Sequence, residues 1–310
     1  MFGFVIRRVG VAIPTILVII TIAFFMMRAA PGGPFDLERP MPEETRQILL
    51  ANYGMDQPLW RQYADYMGGL LQGDMGPSLK LRDKQVSEII AEGFPVSATI
   101  GLCSMILAIG LGSLLGILAA LRQNTAGDFS IMTFAMVGIS IPPFVMGPIL
   151  ALFFGLYLGL VPTGGLDPRY GMMPDRLILP IITLALPQIA IIARLMRASM
   201  IEVIRSNYIR TARAKGLSAS AVIFRHALRS AVLPLISYLG PASAAVISGS
   251  LVIERVFQLP GIGKHFVDAA LQRDYTVVMG VVIVYATLII LLNLLADLIY
   301  GMLNPKVKYE

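Results

Sequence analysis

Asn207 to Pro234 reads NYIRTARAKGLSASAVIFRHALRSAVLP and lies between two strongly apolar segments. It is the most basic part of the chain. Arg194, Arg197, Arg205, Arg210, Arg213, Lys215, Arg225 and Arg229 fall in it or just before it, with Glu202 the only acid among them. Basic loops between membrane spans stay on the cytoplasmic side. The stretch also carries helical order: Ile204, Tyr208, Thr211, Ala212 and Lys215 step at helical spacing, and Gly216 follows where a helix-ending glycine belongs. A second periodic run, Val222, Ile223, His226, Ala227 and Ser230, precedes Pro234, which opens the next apolar span. The spacing predicts a short helix, a glycine corner, a second short helix and re-entry into the membrane. The plainer alternative is a solvated positive loop with no further role.

The composition agrees with a membrane reading. Of 310 residues 56% are hydrophobic and only 14% charged, against about 25% charge in a soluble domain. The net charge of +6 sits at membrane ends on one side and is not interleaved with aromatic residues, which argues against nucleic-acid binding. Cys103 is the only cysteine, so no disulfide or zinc framework forms within one chain. His226 and His265 stand far apart and are expected to be structural. Gly261-Ile262-Gly263-Lys264-His265 lacks the spacing and the hydroxyl of a phosphate loop. No zinc motif, catalytic carboxylate pair or nucleophile elbow appears, so no catalytic, metal or cofactor site is expected in this chain. Apart from Asp297 and the span ends, the apolar runs carry almost no ionisable group. Ion-driven carriers keep acids or histidines near the midplane, and channels need a filter or a charged ring. The energy for any transport is therefore expected to come from another polypeptide.

Working outward, six spans emerge: 9–27, 97–121, 131–160, 177–196, 233–252 and 277–303. A cleaved signal peptide is the rival reading of the first, but its apolar run exceeds the usual ~7–15 residues. Segment 30–95 holds ten acidic and six basic residues, the opposite of the basic loop, and is expected outside. Its apolar stripes predict three short helices, from Pro42, from Pro58 to Gly73, and around Val86, Ile89 and Ile90. These form a cap on the outer surface, either a structural lid or a docking surface for an external partner. Gly112 and Gly116 offer a close-contact face. Pro142, Pro143 and Pro148 predict a kink in the long third run. The run from Gly240 to Ser250 is rich in small and hydroxyl residues, for tight packing or for lining a wet path. Segment 254–276 is expected as an outer loop. Asn304-Pro305 stops the last span before Lys306 and Lys308. Both termini and both basic loops fall on one side, the cytoplasmic one. The expected organisation is 1–29 (first span), 30–96 (external helical segment), 97–305 (five-span core with the basic loop 197–232) and 306–310 (tail).

Arg210-Thr211-Ala212-Arg213-Ala214-Lys215-Gly216, with Arg225-His226-Ala227-Leu228 and Leu233-Pro234, resembles the coupling motif, the EAA loop, of ABC importer membrane subunits. Arg7-Arg8, Phe25-Met26-Met27-Arg28 with Pro31-Gly32, Phe94-Pro95-Val96-Ser97, and Ile253-Glu254 through Leu259-Pro260-Gly261-Ile262-Gly263 extend the resemblance over nearly the whole chain. It is to the oligopeptide and dipeptide permease branch, most of all to the first membrane subunit of an oligopeptide importer. Arg210-Thr211-Ala212 stands where the motif begins Glu-Ala-Ala, so no acidic contact carries over to position 210.

The resemblance implies an all-α type I importer permease of six helices in a bacterial inner membrane. It implies a second, similar permease subunit, two ATPase subunits that bind ATP and Mg, and an external peptide-binding protein. Dipeptides, nickel chelates, glutathione and oligosaccharides are the alternative cargoes of such relatives. Tyr208, Ile209, Arg210, Thr211, Ala212, Arg213, Lys215 and Gly216 are the expected coupling residues. Ile209 and Ala212 are expected to fill a groove on the ATPase, and the cations to meet carboxylates on its rim. Ser140, Pro142, Pro143, Ser237, Ser243 and Ser248 are expected near the solute path.

Overall fold

Pro174–Ile204 is the most deeply buried of the apolar helices. Its residues Ile192, Ala193, Met196 and Met200 are fully closed off. A helix that is apolar on most sides belongs in the middle of a bundle. The computed structural model describes residues 2–30, 32–35, 42–81, 83–166 and 172–303. Pro31, the expected stop at Asn304-Pro305 and the tail 306–310 lie outside the described residues.

In chain order the helices are Phe2–Ala29 (α1), Glu43–Asn52 (α2), Leu59–Leu71 (α3), Val86–Leu121 (α4), Ala126–Ser140 (α5), Pro143–Leu150 (α6), which continues as a π-helical segment over Ala151–Tyr157, and Pro174–Ile204 (α7). Then come Asn207–Ala214 (α8), Ala219–Ala221 (α9), which continues through π-helical Val222–Ala227 into Leu228–Ala231 (α10), Leu233–Val256 (α11), Ile262–Gln272 (α12) and Tyr275–Leu303 (α13). Among the described residues the only β pairing is one isolated bridge, Pro77 with Gln85.

Five helices, α1, α4, α7, α11 and α13, are long and apolar enough to cross a membrane. The remaining span, third in chain order, is broken: α5 and α6 with its π-helical continuation meet at 104°. The cause is local. A residue before proline is driven out of the helical region; accordingly Ile141 and Pro142 are extended, with ψ of 123° and 142°. The prolines therefore do more than kink the run; they end one helix and start another.

In lipid, helices associate by close packing and interhelical hydrogen bonds rather than by hydrophobic drive. Gly112 and Gly116 provide the first. A β-carbon at Gly116 would lie 2.5 Å from the Ala193 carbonyl oxygen, and one at Gly112 would lie 2.9 Å from the Ile192 side chain. The α4 backbone thus rests on α7, as the small-residue face predicts. Ser104 adds a hydrogen bond to the Ile181 carbonyl at 3.1 Å, and Tyr238 of α11 donates to Gln188 of α7 at 2.9 Å. At the basic end Arg8 of α1 pairs with Asp297 of α13 at 2.6 Å.

Several boundaries differ from the sequence reading. α4 starts at Val86, so the expected division at 96/97 falls inside a helix that passes through Pro95. The Glu88 carboxylate accepts the Gln85 N–H at 3.1 Å, a helix-start contact. Val86 and Ile89 are buried against Val277, Val278 and Val281 of α13, which holds this extension in the bundle. α7 continues to Ile204 and α11 to Val256. The expected loop 254–276 contains α12, whose Ile262, Phe266 and Ala269 face the same cluster. The segment between α1 and α4 is pinned to the α12–α13 corner by the buried Asp274. That carboxylate accepts from the Ser78 hydroxyl, from the N–H of Leu79 at 3.1 Å and from that of Lys80 at 3.3 Å.

Candidate functional site

The basic stretch folds as its spacing predicts. α7 ends at Ile204, and the Ser206 hydroxyl donates to the Val203 carbonyl at 2.6 Å, closing the turn. α8 then runs over Asn207–Ala214. Gly216 stops it with φ +78° while its N–H donates to the Arg213 carbonyl at 2.9 Å. Nothing lies within 4 Å of where a β-carbon would sit on Gly216, so the glycine is required by backbone conformation, not by space. The Ser218 hydroxyl accepts the Ala221 N–H at 3.3 Å, capping the second helical piece. Pro234 lies at the start of α11, where a missing N–H does no harm.

The faces of α8 settle which residues can meet a partner. Ile209 is fully buried and Ala212 nearly so, packed with Met200, Val222, Ala227 and Ala231 of this same chain. The expectation that Ile209 and Ala212 enter a partner's groove is corrected here. The apolar side of α8 is spent on packing against the π-helical turn Val222–Ala227, in a buried cluster that also takes in Met200 of α7 and Leu235 of α11. Tyr208, Arg210, Thr211, Arg213, Lys215 and Gly216 are exposed. Two further exposed apolar residues in this segment escaped the sequence reading: Phe224, 66% exposed, and Leu217. Phe224 lies off the face formed by Val222, Ile223, His226 and Ala227, within the π-helical turn Val222–Ala227.

Arg197 is not part of the exposed basic surface. Its guanidinium donates to Asp128 from Nε at 2.6 Å and from Nη2 at 2.5 Å, and Asp128 is buried. Asp128 also accepts the Asn124 N–H at 2.9 Å. Arg205 reaches the Gln123 side chain at 2.9 Å. The turn between α4 and α5 is thereby fastened to the last turns of α7, immediately before α8.

The expected path residues do not share one surface. Ser237 and Ser248 are exposed and align with Pro241 and Ala245 along one stripe of α11. Ser243 points away from that stripe and lines a cavity of about 420 Å³ between α4, α11 and α13, together with Ser97, Ser250 and Tyr285. Ser140 and Pro142 are exposed at the break in the fifth–sixth helix pair and Pro143 is half-buried; the Ser140 hydroxyl is taken up by the Met136 carbonyl at 2.9 Å.

At the end of the bundle opposite α8 the cavity is closed by a buried polar joint that the sequence reading passed over. Glu254 of α11 accepts the Gly263 N–H at 2.7 Å, and Ser97 of α4 accepts the Ile262 N–H at 2.9 Å. The start of α12 is thus held by two other helices. A β-carbon on Gly261 would sit 2.1 Å from the Glu254 carboxylate, and one on Gly263 2.6 Å from Leu251. The Leu259-Pro260-Gly261-Ile262-Gly263 turn is therefore a packing device. Among the described residues no cluster of side chains fits a metal ion.

The comparisons agree with this arrangement. Residues 112–309 match the family model described as the inner membrane component of binding-protein-dependent transport systems, and residues 1–101 match the model for the N-terminal part of such components. The oligopeptide transport system permease protein OppB of Haemophilus influenzae is 47% identical over 309 residues, covering 100% of both chains. The OppB of Escherichia coli is likewise 47% identical over 309 residues and covers 100% of both. The dipeptide transport system permease protein DppB of Bacillus subtilis is 42% identical over 308 residues, covering 99% of this chain and 98% of that one. Among solved structures, the inward-facing MetNI methionine ABC transporter superposes with a TM-score of 0.51 at 18% identity, covering 71% of this chain and 94% of that one. This last likeness shows the fold, the type I permease bundle. The chain belongs to the inner-membrane permease components of binding-protein-dependent ABC importers, in their oligopeptide and dipeptide branch.

Proposed function

We propose that this chain forms half of the solute path of an ATP-driven oligopeptide importer and is moved by a separate ATPase that grips α8. The observation that carries the coupling role is the clamping of α8. Its apolar side packs on the π-helical turn Val222–Ala227, and Ile209 belongs to one buried cluster with Met200 of α7 and Leu235 of α11, while Tyr208, Arg210, Arg213 and Lys215 face outward. A push on that exposed side passes through the π-helical turn and α10 into α11, whose stripe of Ser237, Pro241, Ala245 and Ser248 faces a second permease subunit across the path. The chain itself is not an enzyme. ATP and Mg belong to two partner ATPase subunits, and an external peptide-binding protein delivers the cargo.

In this reading α8 and both termini lie on the cytoplasmic side of a bacterial inner membrane, in accord with the basic charge at that end. Tyr208, Leu217 and Phe224 supply the apolar contacts on the ATPase, in place of Ile209 and Ala212, and the arginines meet rim carboxylates. Oligopeptides are favoured as cargo by the full-length 47% identity to OppB proteins. Dipeptides are the second reading, resting on the 42% identity to a dipeptide permease.

The test is reconstitution with the sister permease, the ATPases and the binding protein, followed by uptake of labelled di- to pentapeptides into vesicles. ATP-dependent uptake of the longer peptides is expected. Uptake of dipeptides alone moves the cargo to the second reading, and uptake by this chain without the ATPases overturns the proposal.

A further inference from the structure

α3 was expected to lie on top of the bundle as a cap. Instead its inner side packs across the last turns of α1. Tyr63, Tyr66, Met67 and Leu70 pack against Ile20 and Phe24 of α1 and Met279 and Ile283 of α13. Tyr63 shares a 2.7 Å hydrogen bond with Thr21, and Gln62 accepts from Arg28 at 2.9 Å. The apolar run of α1 ends at Met27, six residues beyond Thr21. At 1.5 Å per residue, the Tyr63 hydroxyl therefore bonds about 9 Å below the end of that run, while Gln62 meets Arg28 just past it.

With about 100° per residue, the rest of α3 divides into two further sectors. Trp60, Ala64 and Leu71 fall within one arc about 40° wide, and all three are exposed, Trp60 at 69% and Leu71 at 85%. Arg61, Asp65 and the following Gln72 fall within a second arc about 100° away, also exposed. The helix thus has three sides, one toward protein, one apolar and one polar. Its apolar side continues an existing surface. The Tyr63 ring stacks on Phe25 at 5.6 Å, and Phe25 lies beside Ile22 and Met26 on the outward face of α1, exposed along the span.

We propose that α3 lies in the plane of the membrane interface, in the leaflet at the end opposite α8, and that lipid is what covers Trp60, Ala64 and Leu71. The level of the Tyr63–Thr21 bond within the apolar run of α1, the segregation of Arg61, Asp65 and Gln72 to the other flank, and continuity with the lipid face of α1 all point to a bilayer rather than to a docked protein. Tryptophan and tyrosine suit this level, where an apolar ring and a polar edge both find partners. The segment between α1 and α4 is then held at two places, by lipid at α3 and by Asp274 at the α12–α13 corner.

Trp60 is the only tryptophan in the chain, so the full chain reconstituted in phospholipid vesicles reports directly. The expected result is blue-shifted emission, quenched strongly by phospholipids brominated near the headgroup end of their acyl chains and weakly by aqueous iodide. In the assembled complex, nitroxides at Leu71→Cys and Asp65→Cys in a Cys103→Ala background extend the test. Oxygen should relax the first label more, and a water-soluble nickel chelate the second. Iodide quenching of Trp60 near that of free tryptophan overturns the proposal. So does a Leu71 label closed to both oxygen and the chelate, since that side would then be covered by protein.

Discussion

Arg197 holds Asp128 through two parallel charge-assisted hydrogen bonds, 2.6 Å and 2.5 Å long, joining the first turn of α5 to the seventh turn of α7. Asp128 is buried, so removing its partner leaves a carboxylate without compensation. Breaking a buried pair costs about 3–5 kcal/mol, and less here because Arg197 retains some solvent contact. Arg197→Ala should lower the thermal midpoint of the solubilised complex more than the double variant Arg197→Ala with Asp128→Ala. A double-mutant cycle in melting experiments, with Asp128→Ala as the second single variant, checks this; a double-variant loss equal to the sum of the two single losses would show that the pair carries no coupling energy.

The contact of α4 with α7 gives a sharper steric prediction. Gly116→Val should abolish recovery of folded protein from the membrane, because even a single carbon there would stand 2.5 Å from the Ala193 carbonyl oxygen. Gly110→Ala in the same helix, with nothing within 4 Å, should be tolerated or gain up to about 1 kcal/mol from helix propensity. Size-exclusion profiles of the two variants distinguish them.

α8 separates stability from docking. Ile209→Ala should cost about 2–5 kcal/mol, as truncation of a fully buried side chain does, and should be visible in melting of the permease alone. Tyr208→Ala and Phe224→Ala should leave that melting unchanged and weaken binding of the ATPase subunits in pull-down titrations. The reverse pattern would restore Ile209 to the partner groove.

These assignments show which features were legible in the sequence. Span positions were, because apolar length is a property of the chain alone, and so was the Gly216 corner, because positive φ selects glycine. What the Ile209 face packs against was not. Helical spacing names a face, but whether that face meets its own chain or a partner depends on how α7 and α11 bring their ends together. The start of α4 at Val86 was missed because Pro95 reads as a boundary, whereas burial of Val86 and Ile89 against α13 carries the helix through it. Glu254 likewise looked like a loop acid until α12 folded back on it.

His265, at the end opposite α8, offers a pH test. Burial, then the neighbouring Lys264 charge, lower its pKa below the ordinary histidine value, against smaller raising effects from Asp268 and Glu92. The unfolded chain then takes up a proton at a pH where the folded chain does not. Stability must fall as pH drops below the ordinary histidine range of about 6.5. His265→Gln should flatten that part of the melting-versus-pH curve; an unchanged slope would assign it to other groups.

The central claim is that motion enters through α8 and its corner. Gly216→Pro cannot adopt φ +78° and loses the N–H that bonds Arg213. Gly216→Asn can adopt that conformation at small cost. In the reconstituted complex, the account predicts that Gly216→Pro assembles with its partners but loses substrate-stimulated ATP hydrolysis, while Gly216→Asn keeps most of it. Stimulated hydrolysis at the unmodified level in Gly216→Pro would contradict the account.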